Sequence, residues 1–446
     1  MSLDRPPITA PAPLQAPDLP GEVRVESLDN GLEVCLLHNP QAPIVTCALW
    51  YRVGARDETP AEAGAAHFLE HMMFKGSASY GPGEIDRRTQ ALGGSNNAFT
   101  SHDSTAYYFN FSGDRWQEAL AIEADRMRGL TLDPDEVDSE RQVILEELSM
   151  YEDEPWDALE QQVHAALFPG HPFGRPVIGT RESLRGMGHD ELASFHRRFY
   201  RPDNAVLVLA GDIPGDALER VAERFAAIPG GAEARPELEP VPVLEAWVRV
   251  ERRAGDVARL CLATPAPDAH YPDYAALRLL VAVLSSGRAS RLHRHLVEER
   301  QSCLWVAAQV AEAPTMGFLS IALEVVPGVE PAEVETEVSK ALAELVERPP
   351  TAVELDRARR LLLADWVFAH ERVHQQALAA GFALSLFDLG HTRRWLQRAL
   401  DMTPAEVLAA ARRFDLGRAG VIGWSLPEEE ADGETDGAVA DGEGAP

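Results

Sequence analysis

The chain has 446 residues, 45% hydrophobic and 25% charged, with 41 basic and 71 acidic side chains and a formal net charge of −30. That length exceeds one compact core and suits two domains of ordinary size, and the composition is that of a globular protein. So acidic a chain lacks the basic face that a phosphate backbone needs, which argues against nucleic-acid binding, and no apolar run is long enough to cross a bilayer.

Residues 1–21 are rich in proline, hold Asp4 and Asp18, and have Arg5 as their only basic residue. They carry no apolar stretch of a secretion signal and read as a flexible arm, with the cytoplasm as the expected location. The first structured signal is a hairpin: apolar runs at 23–28 and 32–37 flank Asp29-Asn30-Gly31, a turn sequence that tolerates positive φ. A third strand is expected over 44–53. Four cysteines, Cys35, Cys47, Cys261 and Cys303, form no C-x-x-C pair. All but Cys303 fall in strand-like stretches, and they read as buried reduced thiols.

A capping box with proline at the first helical position, Thr59-Pro60-Ala61-Glu62, predicts a helix from 60 to about 75, stopped by Gly76. It contains His67-Phe68-Leu69-Glu70-His71. Residues four apart share a helix face, so both imidazoles point the same way with Glu70 beside them, while Ala65, Leu69 and Met72 pack behind. Two neutral imidazoles and a carboxylate suit a Zn²⁺ site with one position left for water. H-x-x-E-H is an inverted zinc-peptidase motif.

A third ligand is expected on the next well-marked helix, which Asp133-Pro134-Asp135-Glu136 starts and Pro155 ends near residue 152. Its buried stripe is Val137, Ile144, Leu148 and Tyr151. At 100° per residue Glu140 and Glu147 fall within that stripe, whereas Glu146 faces solvent. A carboxylate on a packing face is expensive unless something pairs with it, and a metal would relieve the cost. The third ligand is therefore Glu147 or Glu140.

Residues 231–243 hold a glycine and prolines and read as a linker. Beyond it strands at 247–251 and 258–263, and a helix starting near 271, restart the plan of the first half. Residues 427–446 contain eight acids and read as a disordered tail; without them the charge is still −22. The domains expected are thus 22–230 and 244–426.

The stretches His67–Gly76, Gly93–Thr100, Asp103–Tyr107 and Glu140–Glu147 resemble the pitrilysin-like (M16) zinc metallopeptidases, most closely the processing-peptidase branch, which shares the 76-residue spacing from His71 to Glu147. The resemblance runs from about 22 to 426, tightest in the first half. It implies an α+β fold of two related domains, each a mostly antiparallel sheet packed with helices, forming half of a clamshell. It implies one Zn²⁺ per chain on His67, His71 and Glu147, Glu70 as general base, and Glu140 as support behind a ligand. It also implies that Asn97, Ala98, Phe99 and Thr100 lie on an edge strand that pairs with a peptide substrate, which an exposed edge can do.

His102 is expected to be a solvated loop histidine outside the metal set. The family's second half often supplies an Arg and a Tyr, seven apart, to the bound peptide. Here those positions fall at Val297 and at Leu304 or Trp305, and no tyrosine follows Tyr274. The expected partner is therefore a related chain carrying the pair, in a heterodimer, with a homodimer as the competitor. A non-catalytic zinc-binding scaffold or assembly subunit is the alternative class.

Overall fold

The computed structural model describes residues 14–231, 235–414 and 417–428. Most of the acidic tail, the first thirteen residues of the arm and residues 232–234 of the linker lie outside these. The first sheet has six strands: β1 (Glu22–Ser27), β2 (Glu33–His38), β3 (Ile44–Tyr51), β4 (Ser95–Thr100), β5 (Thr105–Ser112) and β6 (Ala205–Gly211), in the order β1-β2-β6-β3-β5-β4. The second has β7 (Trp247–Arg253), β8 (Arg259–Pro265), β9 (Cys303–Val310), β10 (Phe318–Val325) and β11 (Gly420–Leu426), in the order β7-β11-β8-β10-β9.

The Asn-Gly turn closes β1 and β2 into the expected antiparallel hairpin, with Val25 opposite Cys35. In each sheet one pair is parallel, β2 with β6 and β7 with β11, and the other pairs are antiparallel. Without β1, the order 2-6-3-5-4 repeats as 7-11-8-10-9. The two halves are thus the same α+β plan twice. All four cysteines are free and buried, Cys303 among them at the start of β9. Among the described residues no helix is long and apolar enough to cross a membrane.

β6, Ala-Val-Leu-Val-Leu-Ala-Gly, is buried along its whole length, as an apolar run covered on both faces must be. On one face the first sheet packs on helices of its own half. On the other, Trp50, Ala48, Val206 and Val208 meet Val373, Ala377 and Ala380 of the helix Val373–Leu386, from the second half. The exchange is mutual. The helix Pro155–Leu167, from the first half, lays Leu159 and Val163 on Cys261, Ala263 and Val421 of the second sheet.

Both exchanged contacts are close because a glycine sits in each. A Cβ on Gly381 would lie 2.0 Å from Trp50 Nε1, and one on Gly423 would lie 2.3 Å from a Val163 methyl. Each half therefore completes its core with a helix of the other. The described part of the arm is also packed: Ala16 is buried, its N–H donates to Gln397 Oε1 (2.9 Å), and Leu14 and Leu19 lean on the second core.

Candidate metal centre

The motif helix is shorter than its capping signals predict. Thr59–Glu62 forms its box, with Thr59 N–H donating to Glu62 (3.1 Å), but it opens only a single 3₁₀ turn, Pro60–Glu62. Gly64 then takes φ +92°, and the α-helix runs Ala65–Met72. Its free amides are met from a distance: Glu58 accepts Gly64 N–H (2.8 Å) on one oxygen and Ala66 N–H (2.9 Å) on the other. A Cβ on Gly64 would lie 2.5 Å from the Ile178 carbonyl oxygen. The backbone there is crowded as well as left-handed, and only glycine fits both demands.

His67 and His71 project from one face of this helix, with ring centroids 4.7 Å apart. The second helix runs Pro134–Asp153, started by Asp133, whose carboxylate accepts Asp135 and Glu136 N–H. It carries Glu147 to His67 Nε2 (3.8 Å) and His71 Nε2 (3.5 Å). One donor atom from each of the three lies within 4.8 Å of the others, the one such group of three or more among the described residues.

The donor set fits a divalent metal. Burial, helped by His71, lowers the His67 pKa to about 3, so its imidazole is neutral and free to coordinate. Glu147 Oε2 is buried without a hydrogen-bond partner, a state that costs free energy unless a cation meets it.

Glu140, 5% exposed, sits behind this group. It accepts His71 Nδ1–H (2.8 Å) on one oxygen and pairs with Lys75 Nζ (2.5 Å) on the other. Accepting at Nδ1 turns Nε2 of His71 toward Glu147. Burial opposes protonation of His71, but the bond and charge of Glu140, then Glu147 and Glu70, carry its pKa upward on balance. Burial likewise acts to raise the Glu140 pKa, and the bonds from His71 and Lys75 hold it low. Glu146 is exposed.

Glu70 faces the same cavity, and the Thr100 hydroxyl donates to its Oε2 (2.5 Å). Burial raises the Glu70 pKa, with Thr100 opposing. A carboxyl shifted upward and held on one oxygen keeps the other for proton transfer.

The cavity, about 430 Å³, lies between β4 and the exchanged helix Pro155–Leu167. Ala98, Phe99 and Thr100 line one wall, and Asp157, Glu160, Gln161 and His164 the other. β4 pairs only with β5, so it is the edge of the first sheet. Asn97 is on the same strand but does not line the cavity; its side chain accepts the Ala98 N–H (2.9 Å). Phe99 stands edge-on to Trp50, 5.3 Å between ring centres.

Other placements differ from expectation. Tyr151 is not in the packed stripe: it is 37% exposed and its hydroxyl lies 3.4 Å from Glu147 Oε1. His102 is not solvated. Its Nε2–H meets the Arg175 carbonyl (3.1 Å), its ring stands edge-on to Phe173, and burial lowers its pKa. Val297 lies in a π-helical turn, His293–Glu299, and Leu304 and Trp305 are exposed on β9, the edge of the second sheet. Trp305 packs on Trp156 at 5.3 Å. The Lys75–Glu140 pair and the acidic wall were not anticipated. The i, i+3, i+4, i+7 spacing of Asp157, Glu160, Gln161 and His164 marks one helix face, but nothing local says which cavity that face borders.

The sequence matches the model described as insulinase (Peptidase family M16) over residues 33–181 and that described as Peptidase M16 inactive domain over 187–362. A protein of Streptomyces coelicolor named as an uncharacterized zinc protease is 31% identical over 418 residues, which is 89% of this chain and 88% of the relative. One of Mycobacterium leprae with the same description is 33% identical over 321 residues, 71% of this chain and 72% of the relative. The crystal structure of a protease from Helicobacter pylori superimposes with a TM-score of 0.87, covering 91% of this chain and 100% of that one at 23% identity, a likeness of fold.

Proposed function

This chain belongs to the M16 (insulinase) peptidase family, and from that premise we propose that it is a zinc-dependent endopeptidase subunit acting on unfolded peptides. The observation that carries this reading is the meeting of His67, His71 and Glu147 beside Glu70, with His67, Glu70 and Glu147 lining a cavity bordered by an unpaired strand edge. The three would hold one Zn²⁺ per chain. Bound there, the ion supplies Lewis acidity, polarising a scissile carbonyl and acidifying a water.

The chain's own residues do the rest. Glu70 takes a proton on the oxygen that Thr100 leaves free and returns it to the leaving amine. Glu140 fixes the ring of His71, and Lys75 fixes Glu140. The edge of β4 at Asn97–Thr100 adds a peptide as a further strand, an arrangement that selects extended chains over folded ones. Asp157 and Glu160 on the opposite wall favour basic side chains. The four free buried thiols suit a reducing compartment such as the cytoplasm.

The second half has no tyrosine after Tyr274, and Leu304 and Trp305 stand on its sheet edge where the family's phenol is expected. A donor for the developing oxyanion is then best supplied by a related chain in a heterodimer. The test is hydrolysis of a mixed fluorogenic peptide library by protein purified with its partners, beside the Glu70→Gln variant. Expected are one zinc per chain, loss of cleavage on chelation with recovery on adding zinc, and a variant that binds zinc yet loses at least about 10³-fold in turnover. A Glu70→Gln protein with near-normal turnover removes Glu70 from the role of base. Full activity of this chain alone removes the partner.

A further inference from the structure

We propose that Arg235, in the segment joining the two sheets, is a positioning residue for the metal centre, through a buried clamp on the two loops that hold the motif helix and Thr100. The proposal rests on the reading of that centre given above.

The clamp begins at the linker. Arg235 donates to both oxygens of Asp57 (2.8 and 2.7 Å) and to the carbonyl oxygen of Asp103 (2.7 Å). Asp57 has a fully buried side chain, and Asp103 is almost as deep, bonded by Arg56 at 2.7 Å. The planar guanidinium meets Asp57 in the two-point geometry that only arginine offers.

Arg235 thereby ties loop 54–58 to loop 101–104. The loops are also bonded directly, Ala55 N–H to the Ser101 carbonyl (3.1 Å) and Arg56 N–H to that of His102 (3.0 Å). A Cβ on Gly54 would lie 2.3 Å from the Ser101 carbonyl oxygen, so the two backbones touch without an intervening side chain.

Each loop ends on the centre. Next to Asp57 is Glu58, which accepts the first amides of the helix bearing His67, Glu70 and His71. Next to Ser101 is Thr100, which donates to Glu70. A shift between the loops therefore moves the Thr100 hydroxyl relative to the helix that carries Glu70. The second half reaches the same clamp, since Arg56 also donates to Thr315 Oγ1 (3.0 Å) in the loop between β9 and β10. Without Arg235, Asp57 still accepts Gly54 N–H (3.0 Å) and has Arg56 nearby, so the fold survives its loss.

The experiment is amide hydrogen exchange on the full chain, wild type against Arg235→Gln and Arg235→Lys, with Arg249→Gln, which breaks a surface pair with Glu335, as control. Zn²⁺ affinity is read in parallel by competition with a chromophoric chelator. In Arg235→Gln the amides of residues 55–58, 64–66 and 101–104 should exchange about tenfold faster or more, with the second sheet unchanged. Zinc should bind about tenfold more weakly, and Arg235→Lys should not restore the two-point bond. Any cleavage should lose kcat more than KM. Neither exchange nor zinc affinity depends on hydrolysis, so an inactive wild type would count against the peptidase and leave this test intact. Unchanged exchange in those segments, or a uniform increase over the whole chain, overturns the proposal.

Discussion

Glu140 and Glu147 lie seven residues apart on one helix, yet their surroundings differ. Glu140 has a cation and an imidazole N–H on its two oxygens, whereas Glu147 keeps one buried oxygen without a hydrogen-bond partner. Helical periodicity put both on the inward face and Glu146 outside, and the structure agrees. Periodicity left open which of the two meets the histidines, because a seven-residue step returns to nearly the same angle. Rise along the axis separates them, and that has meaning only once the motif helix is docked. Glu140→Gln keeps an acceptor for His71 but loses the charge and the Lys75 pair. It should weaken zinc binding by about ten- to a hundredfold, measured by chelator competition. Unchanged affinity would mean that Glu140 does not orient His71.

The motif helix shows how a local signal is overruled by its element's neighbours. The capping box at Thr59 was legible and does form, but the α-helix begins only after Gly64, where Glu58 reaches its amides. Glu58 is 4% exposed, and burial raises its pKa to about 8 against the two amide bonds. A folded-state pKa above the unfolded value near 4.5 means that the folded protein holds the proton more tightly. Stability from this group is complete below that lower value and is lost as pH rises through about 8. In metal-stripped protein, Glu58→Gln should therefore flatten the fall in melting temperature across that window. Glu58→Ala, which removes the cap itself, should cost about 1–2 kcal/mol at low pH, where the contribution of this group is complete, and less as pH rises through about 8. A wild-type and a Gln protein with the same pH profile would show that Glu58 is ionised throughout.

At the scale of the molecule, each sheet is covered on one face by a helix that belongs, by chain order, to the other half. A cut between residues 231 and 235 therefore leaves Trp50, Val206 and Val208 bare in one fragment, and Cys261, Ala263 and Val421 in the other. Burying an apolar side chain of this size is worth about 1.5–3 kcal/mol, so neither fragment should hold its fold alone. Co-expressed fragments 1–231 and 232–446 should combine into a species that melts in one cooperative step, and each alone should show none. A single fragment with its own cooperative transition would sink this expectation.

The sequence by itself determined the residue types of the candidate metal centre and their spacing, the hairpin around Asn30-Gly31 and the inward faces of the two site helices, while the α+β class came from its resemblance to a family. The first three rest on contacts within a few residues or on periodicities that every element carries along its own length. Only the tertiary structure decided that Lys75 holds Glu140, that Thr100 bonds Glu70, that Tyr151 and His102 border the site, and which half covers which sheet. Those depend on close approach between segments tens to hundreds of residues apart. A glycine such as Gly381 reads as an ordinary weak point in a helix until Trp50 is packed against it.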